Sequence, residues 1–389
     1  MSNDTLNLLS DDLNLTTAIM TETNVSQVPR LSPMEMVDLL EYEMKTYLIT
    51  IYWVIAPILI FLGLLGNILT LLIIDRLIKM SKSGSVAAAH VFIKWMAISD
   101  IIDCLLFIPY PIMYYIGRWE RLRYVYRHWY IFYVSRVHFV FLNSFYKISA
   151  FLIVLIALDR FIAICYALKY KSICKIGRVH IAIAVSYFLG IAMAVNETFK
   201  YSPDIRDDKT TGKRIWFVTI NSTVSRVLLL YIYLWLKEIL SSILPMILLC
   251  YFNYRISLSF ANMMKKKKVI AIEKSVGSAI GTVSSGVDNS AEGKKVQTVS
   301  TEDRELTSLM IGIVIVYFAA NIPMSLHFIL AILKPSLYST KPFMGYLHLT
   351  NILAMVHSSA NFYIYLYFNK SFRRILLDMF SFNKHHKLK

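Results

Sequence analysis

Asp159 and Arg160 stand side by side at the end of a long apolar run, in ALDRFIAICYALKYKS, with a basic stretch behind them. A strong acid beside a strong base at a hydrocarbon boundary is either a switch or interfacial decoration. Seven more ionisable residues other than histidine fall inside such runs: Lys94, Asp100, Asp103, Arg136, Lys147, Lys237 and Glu238. Insertion of one such charge costs about 2.5–3.5 kcal/mol, so each is a functional candidate, although Lys94 lies near enough to an end to snorkel. Asp100 and Asp103, three apart, share a helix face, where two carboxylates in low dielectric resist ionising together. A bound cation, a shared proton or a protonated, hydrogen-bonded carboxyl relieves that conflict. Lys237 and Glu238 suit a zwitterionic or peptide ligand, or pair with each other. No His/Cys/Asp cluster has catalytic or metal-ligand spacing, so the sequence assigns no catalytic residue, no metal and no enzymatic activity.

Lipid is the solvent that positions these groups, because 57% hydrophobic residues against 17% charged is not the balance of a water-facing surface. A crossing helix needs about 20 mostly apolar residues. Seven runs qualify: Tyr47–Ile74, His90–Ile116, Tyr130–Leu158, Val179–Val195, Val227–Tyr254, Leu306–Leu333 and Phe343–Phe368. The expected fold is an all-α membrane protein, a seven-transmembrane helix bundle. No amino-terminal block has the pattern of a cleaved signal, so the first span serves as its own.

Seven spans put the termini on opposite sides, and two signals set which is which. Asn-x-Ser/Thr sites at Asn3, Asn14, Asn24, Asn196 and Asn221 all fall outside if the amino terminus is extracellular, leaving only Asn369 inside. The inner segments then hold 23 Lys and Arg against 9 Asp and Glu, and the outer ones 14 against 13, as the positive-inside bias requires. The basic balance therefore marks orientation in a plasma membrane, not nucleic-acid binding. The chain divides into a glycosylated extracellular tail (1–46), the bundle (47–368) with a disordered intracellular loop at about 261–304, and an intracellular amphipathic helix with a basic tail (369–389). Within the loop, Lys265–Lys268 reads as a run snorkelling to anionic lipid or as a partner-docking patch. The Gly/Ser/Val stretch after it is too poor in large apolar residues to fold alone.

These pieces resemble the rhodopsin-like family of G-protein-coupled receptors over about residues 45–380. GLLGNIL carries Gly66-Asn67 in the first span, MAISD ends in Asp100 in the second, and DRF (Asp159–Phe161) closes the third. Pro245 and Pro323 match the prolines of the fifth and sixth spans, and NFYIY (Asn361–Tyr365) is similar to the seventh-span motif, with Phe362 in place of its proline. FNKSFRRILLDMF resembles the amphipathic helix that follows. Two departures stand out: the fourth span has no tryptophan, and the usual disulfide to the second outer loop has no cysteine at either end, Ser135 occupying the expected place.

The resemblance implies a receptor that binds an extracellular ligand and activates a heterotrimeric G protein. It implies that Arg160 pairs with Asp159 and with Glu302 or Asp303, that Tyr365 swings toward Arg160 on activation, and that Asn67, Asp100, Ser149 and Asn361 line a polar pocket that holds sodium in relatives. It places Arg136, Tyr146, Lys237, Glu238, His327 and His348 at ligand depth. Leu142 stands where amine receptors have an acid, which disfavours biogenic amines. The overall look is closest to invertebrate neuropeptide (FMRFamide-like peptide) receptors. The alternatives are a chemosensory receptor of the same fold for small molecules, or an ion channel or transporter built around the intramembrane carboxylates.

Overall fold

Lipid offers no hydrogen bonds to a bare peptide group, so a chain this apolar satisfies its backbone within helices. The computed structural model describes residues 46–48, 50–80, 84–109, 111–112, 133, 137–195, 201–207, 214–220, 228–279, 301–334, 336–337 and 340–380. Of the sequence candidates, Asn3, Asn14, Asn24, Asn196, Asn221 and Arg136 lie outside the described residues, as does Ser135. Glu302 and Asp303 sit on a described helix, but their side chains lie outside the description.

The helices are α1 (Ala56–Met80), α2 (Gly84–Phe107), α3 (Phe139–Cys165), the short α4 (Ala167–Ile173) and α5 (Ile176–Ala194). A hairpin of β1 (Tyr201–Asp207) and β2 (Arg214–Ile220) follows, then α6 (Leu228–Glu238), α7 (Leu244–Ala279), α8 (Thr301–Leu333), α9 (Lys341–Phe368) and α10 (Lys370–Phe380). One-turn π-helical segments precede α1 (Ile51–Ile55) and join α6 to α7 (Ile239–Ile243). Each lies just ahead of a proline, Pro57 or Pro245, whose missing N–H removes an i→i−4 bond and lets the turn widen.

α1 packs on α2, α2 on α3, α3 on α5 and α7, α8 on α9, and α9 back on α1, so the bundle closes with α3 at its centre. Large apolar side chains such as Phe61, Phe188 and Ile315 project outward and exposed, a surface that water would not tolerate and lipid does. Five helical stretches meet length and hydropathy criteria for a span: Thr46–Met80, Phe139–Cys165, Ile176–Ala194, Ile232–Met263 and Arg304–Leu333. The other two spans, α2 and α9, carry Asp100, Asp103, His357, Ser358 and Asn361, all buried and turned inward.

One expectation changes. The segment read as disordered at about 261–304 is helical to Ala279 and again from Thr301, because the fifth and sixth spans continue past the hydrocarbon. The helix bundle stands as expected, with one addition between α5 and α6: β1 and β2 pair antiparallel, Tyr201 opposite Ile220 and Asp207 opposite Arg214. All four cysteines are free, so among the described residues between α5 and α6 this backbone ladder stands without the family's usual disulfide. The fourth span, which lacks a tryptophan, is held by Tyr187, whose hydroxyl meets Ser99 Oγ at 2.8 Å and donates to the Trp95 carbonyl at 3.2 Å, tying α5 to α2.

Two local fits matter for the site. A Cβ on Gly66 would meet Phe362 Cβ at 2.8 Å, so the glycine of α1 is what admits the large residue standing where relatives have proline in α9. Gly66→Val should cost about 1–3 kcal/mol by overpacking and lower the thermal midpoint of the purified protein; an unchanged midpoint would show that α9 shifts freely. Asn369 caps α10, its Oδ1 accepting the Phe372 N–H at 2.9 Å.

Candidate functional site

Three polar groups line α3 from one end to the other. At the end nearest α4, Asp159 Oδ2 accepts from Arg160 Nε at 3.0 Å and from Nη2 at 2.5 Å, and both side chains are about 1–2% exposed. Oδ1 of the same carboxylate accepts the Tyr170 hydroxyl at 2.7 Å. Burial, and then the Asp159 charge, push the Tyr170 phenol well above its ordinary range, so it remains a donor. The Cys174 thiol beside it is pushed up to about 11, again first by burial. Phe161 stacks on Phe252 of α7, ring centroids 5.3 Å apart, and braces the pair from behind. Tyr170 was not singled out in the sequence; the only signal was a phenol eleven residues after the acid, in a loop whose fold the sequence leaves open.

Midway along α3, Ser149 donates to Asp100 Oδ1 at 2.9 Å, and Asn361 Nδ2 donates to Oδ2 at 2.6 Å. Asp103 is served separately: Ser358 donates to its Oδ2 at 2.7 Å. Asn67 donates to the carbonyls of Gly63 and Ser358, each at 2.9 Å. The buried atoms left over here, Asn67 Oδ1, Asp103 Oδ1 and Asn361 Oδ1, are all acceptors with no hydrogen-bond partner among the described residues. Oxygen donors of this kind around two carboxylates fit a hard cation such as sodium. Tyr365 packs on Phe372 of α10, and its buried hydroxyl also lacks a partner.

Toward the far end, Tyr146, Lys147, Lys237 and Glu238 line one small cavity of about 10 Å³ with Asn143 and Ser241. Glu238 Oε1 and Ser241 Oγ are buried there without a hydrogen-bond partner among the described residues. Lys147, noted in the sequence only as an intramembrane charge, thus joins the two charges read as ligand contacts. His327 and His348 do not line this cavity. His327 stacks on Phe343 at 4.4 Å between ring centroids, and His348 Nδ1 is 2.6 Å from the Tyr52 hydroxyl, linking the first and seventh spans. Between the cavity and the carboxylates sits His357, fully buried, edge-on to Tyr146 and Tyr317 (centroids 6.1 and 5.6 Å), with neither ring nitrogen hydrogen-bonded. The sequence reading passed over it.

From Tyr146 to Arg160 the helix rises about 21 Å, so any signal between the ends has to travel along or beside α3. Tyr170 supplies the first test. Removing its hydroxyl deletes one bond to a charged acceptor, worth about 1.5–3 kcal/mol. Tyr170→Phe should therefore loosen the Asp159–Arg160 pair and lower the thermal midpoint of the purified protein; an unchanged midpoint would show that the hydroxyl does not hold the pair.

A family model for the seven-transmembrane receptors of the rhodopsin family matches residues 66–365. The chain is 22% identical over 353 residues to "Sex peptide receptor-related protein 2" of Caenorhabditis elegans, a match covering 85% of this chain and 72% of that protein. It is also 22% identical over 209 residues to "Probable G-protein coupled receptor AH9.1" of the same organism, covering 51% and 46% respectively.

Proposed function

Because the chain belongs to the rhodopsin family of seven-transmembrane receptors, we propose that it takes an extracellular peptide ligand above the cavity of Tyr146, Lys237 and Glu238 and signals through a heterotrimeric G protein at the Arg160 end. The observation that carries this reading is the burial of the Asp159–Arg160 pair. An Arg held at 1% exposure is unavailable to a partner until the helices around it part. That is a two-state element, and a ligand that contacts the two states differently shifts its balance.

The peptide assignment has two supports. Opposite charges buried at ligand depth suit a ligand bearing both an amine and an acid, and a relative's name includes a sex peptide receptor. In the polar pocket, Asp100, Asp103, Asn67 and Asn361 would hold a sodium ion, which would offset the charge of the carboxylates. The orientation in this proposal puts the amino terminus outside, and glycans on some of Asn3, Asn14, Asn24, Asn196 and Asn221 would accord with it. A glycan on Asn369 would overturn it.

The experiment is expression with promiscuous G proteins against amidated peptides, volatiles and amines. A response confined to volatiles or amines would refute the peptide ligand. With the responding peptide in hand, Glu238→Gln should weaken potency about ten-fold, equivalent to about 1.4 kcal/mol, with surface expression retained. Unchanged potency would assign Glu238 to bundle structure.

A further inference from the structure

A cavity of about 430 Å³ opens at the Arg160 end of the bundle, between α1, α2, α8 and α10. That is within the range of small-molecule sites, about 300–1,000 Å³, and leaves room for a lipid headgroup. Its charged lining is balanced: Arg76 and Arg374 against Glu305 and Asp378. None of these four forms an ion pair among the described residues. Glu305 Oε2 accepts the Lys370 N–H at 3.1 Å, which fixes its carboxylate beside the start of α10. His90 also lines the cavity, 4% exposed, and its Nδ1 has no hydrogen-bond partner. Leu77 and Leu306 supply apolar wall, and Met80 at the rim is exposed, as are Leu377 and Phe380 on α10. Apolar side chains turned outward at this level belong in the bilayer, so the cavity opens at headgroup depth.

The geometry points to a binding site for the zwitterionic headgroup of an aminophospholipid, phosphatidylethanolamine in class, drawn from the leaflet that faces α10. Guanidinium groups match phosphate oxygens in a fixed fork, and a primary ammonium one ethylene spacer away donates to carboxylates. A choline headgroup has the same charges but no N–H to donate, so Glu305 and Asp378 distinguish the two. A polyphosphoinositide brings several negative charges to a lining whose net charge is zero and leaves them uncompensated. A headgroup seated here ties the inner end of α8 to α1 and α10. Assignment to the cytoplasmic leaflet rests on the receptor reading; the binding itself does not.

The test is retention of lipid by the purified full chain, taken from nanodiscs of equimolar phosphatidylcholine and phosphatidylethanolamine with identical acyl chains and read by native mass spectrometry. No G protein or agonist is present, so failure here and failure of the receptor reading are separate results. Phosphatidylethanolamine should be retained about ten-fold over phosphatidylcholine. Arg76→Ala with Arg374→Ala should cut retention of both lipids. Glu305→Gln with Asp378→Asn keeps the arginines and should bring the two lipids to parity, while Lys169→Ala, an exposed cation on α4, should change nothing. Parity in the unaltered protein, displacement of phosphatidylethanolamine by added phosphatidylinositol bisphosphate, or the same preference in both double variants would overturn the site.

Discussion

Arg160→Ala is expected to retain agonist binding and to drive no nucleotide exchange above the receptor-free background. Arg160 is the largest fully buried side chain in the described bundle, and its guanidinium spends both Nε and Nη2 on Asp159. In the proposed active state those donors turn to the G protein as a planar fork. The cavity at Tyr146, proposed for the ligand, lies about 21 Å along the same helix, too far for the substitution to touch it directly. Arg160→Lys should recover only part of the exchange, since an ammonium pairs at one point where a guanidinium pairs at two. Exchange is to be measured at matched surface expression, because a buried Asp159 left without its cation costs about 3–5 kcal/mol. Full coupling by Arg160→Ala would show that the pair is interfacial decoration.

Depth along a span was legible in the sequence, and direction around it was not. The family resemblance put Tyr146, Lys237 and Glu238 at one level, and they line one cavity. It also put His327 and His348 near that level, yet one stacks on Phe343 and the other meets Tyr52. In a water-soluble helix the apolar stripe reveals the inward face; in lipid nearly the whole circumference is apolar and the stripe fades. Polar residues then become the only directional markers. Asp100 and Asp103 marked the inward face of α2 correctly, but nothing in the sequence divided their partners, Ser149 and Asn361 on one, Ser358 on the other. His357 was passed over because a single histidine in an apolar run is most often a satisfied core residue, and here it is buried with both nitrogens unpartnered. The β1–β2 hairpin had a weak signal in its first strand, which is polar and contains Pro203, tolerated only because a two-stranded ladder is all edge, whereas the second is mostly apolar and β-branched or aromatic and reads as a strand.

Asp159→Asn is expected to raise ligand-independent exchange by ten-fold or more, well beyond what an ion pair at a wet interface would give. Pairs open to water are worth about 0–1 kcal/mol, which is the scale the sequence alone suggests for a charge at the end of a span. With both partners about 1–2% exposed, loss of the acid instead strands a buried guanidinium, a penalty of about 3–5 kcal/mol. That penalty falls on the closed state, where Arg160 is enclosed, and is relieved in an open state where water or a partner reaches it. The Asn keeps the shape and one carbonyl acceptor, so Tyr170 still has a partner and the packing of Phe161 on Phe252 is undisturbed. Part of the penalty appears as lower stability of the whole bundle, so the basal rate should rise by less than the full 3–5 kcal/mol implies; about 1.4 kcal/mol already makes it ten-fold. Combining Asp159→Asn with Tyr170→Phe should add little, because both act on the same hydrogen-bonded group and such effects are not additive. Basal exchange equal to that of the unaltered receptor, at equal surface expression, would mean that the buried pair does not hold the closed state.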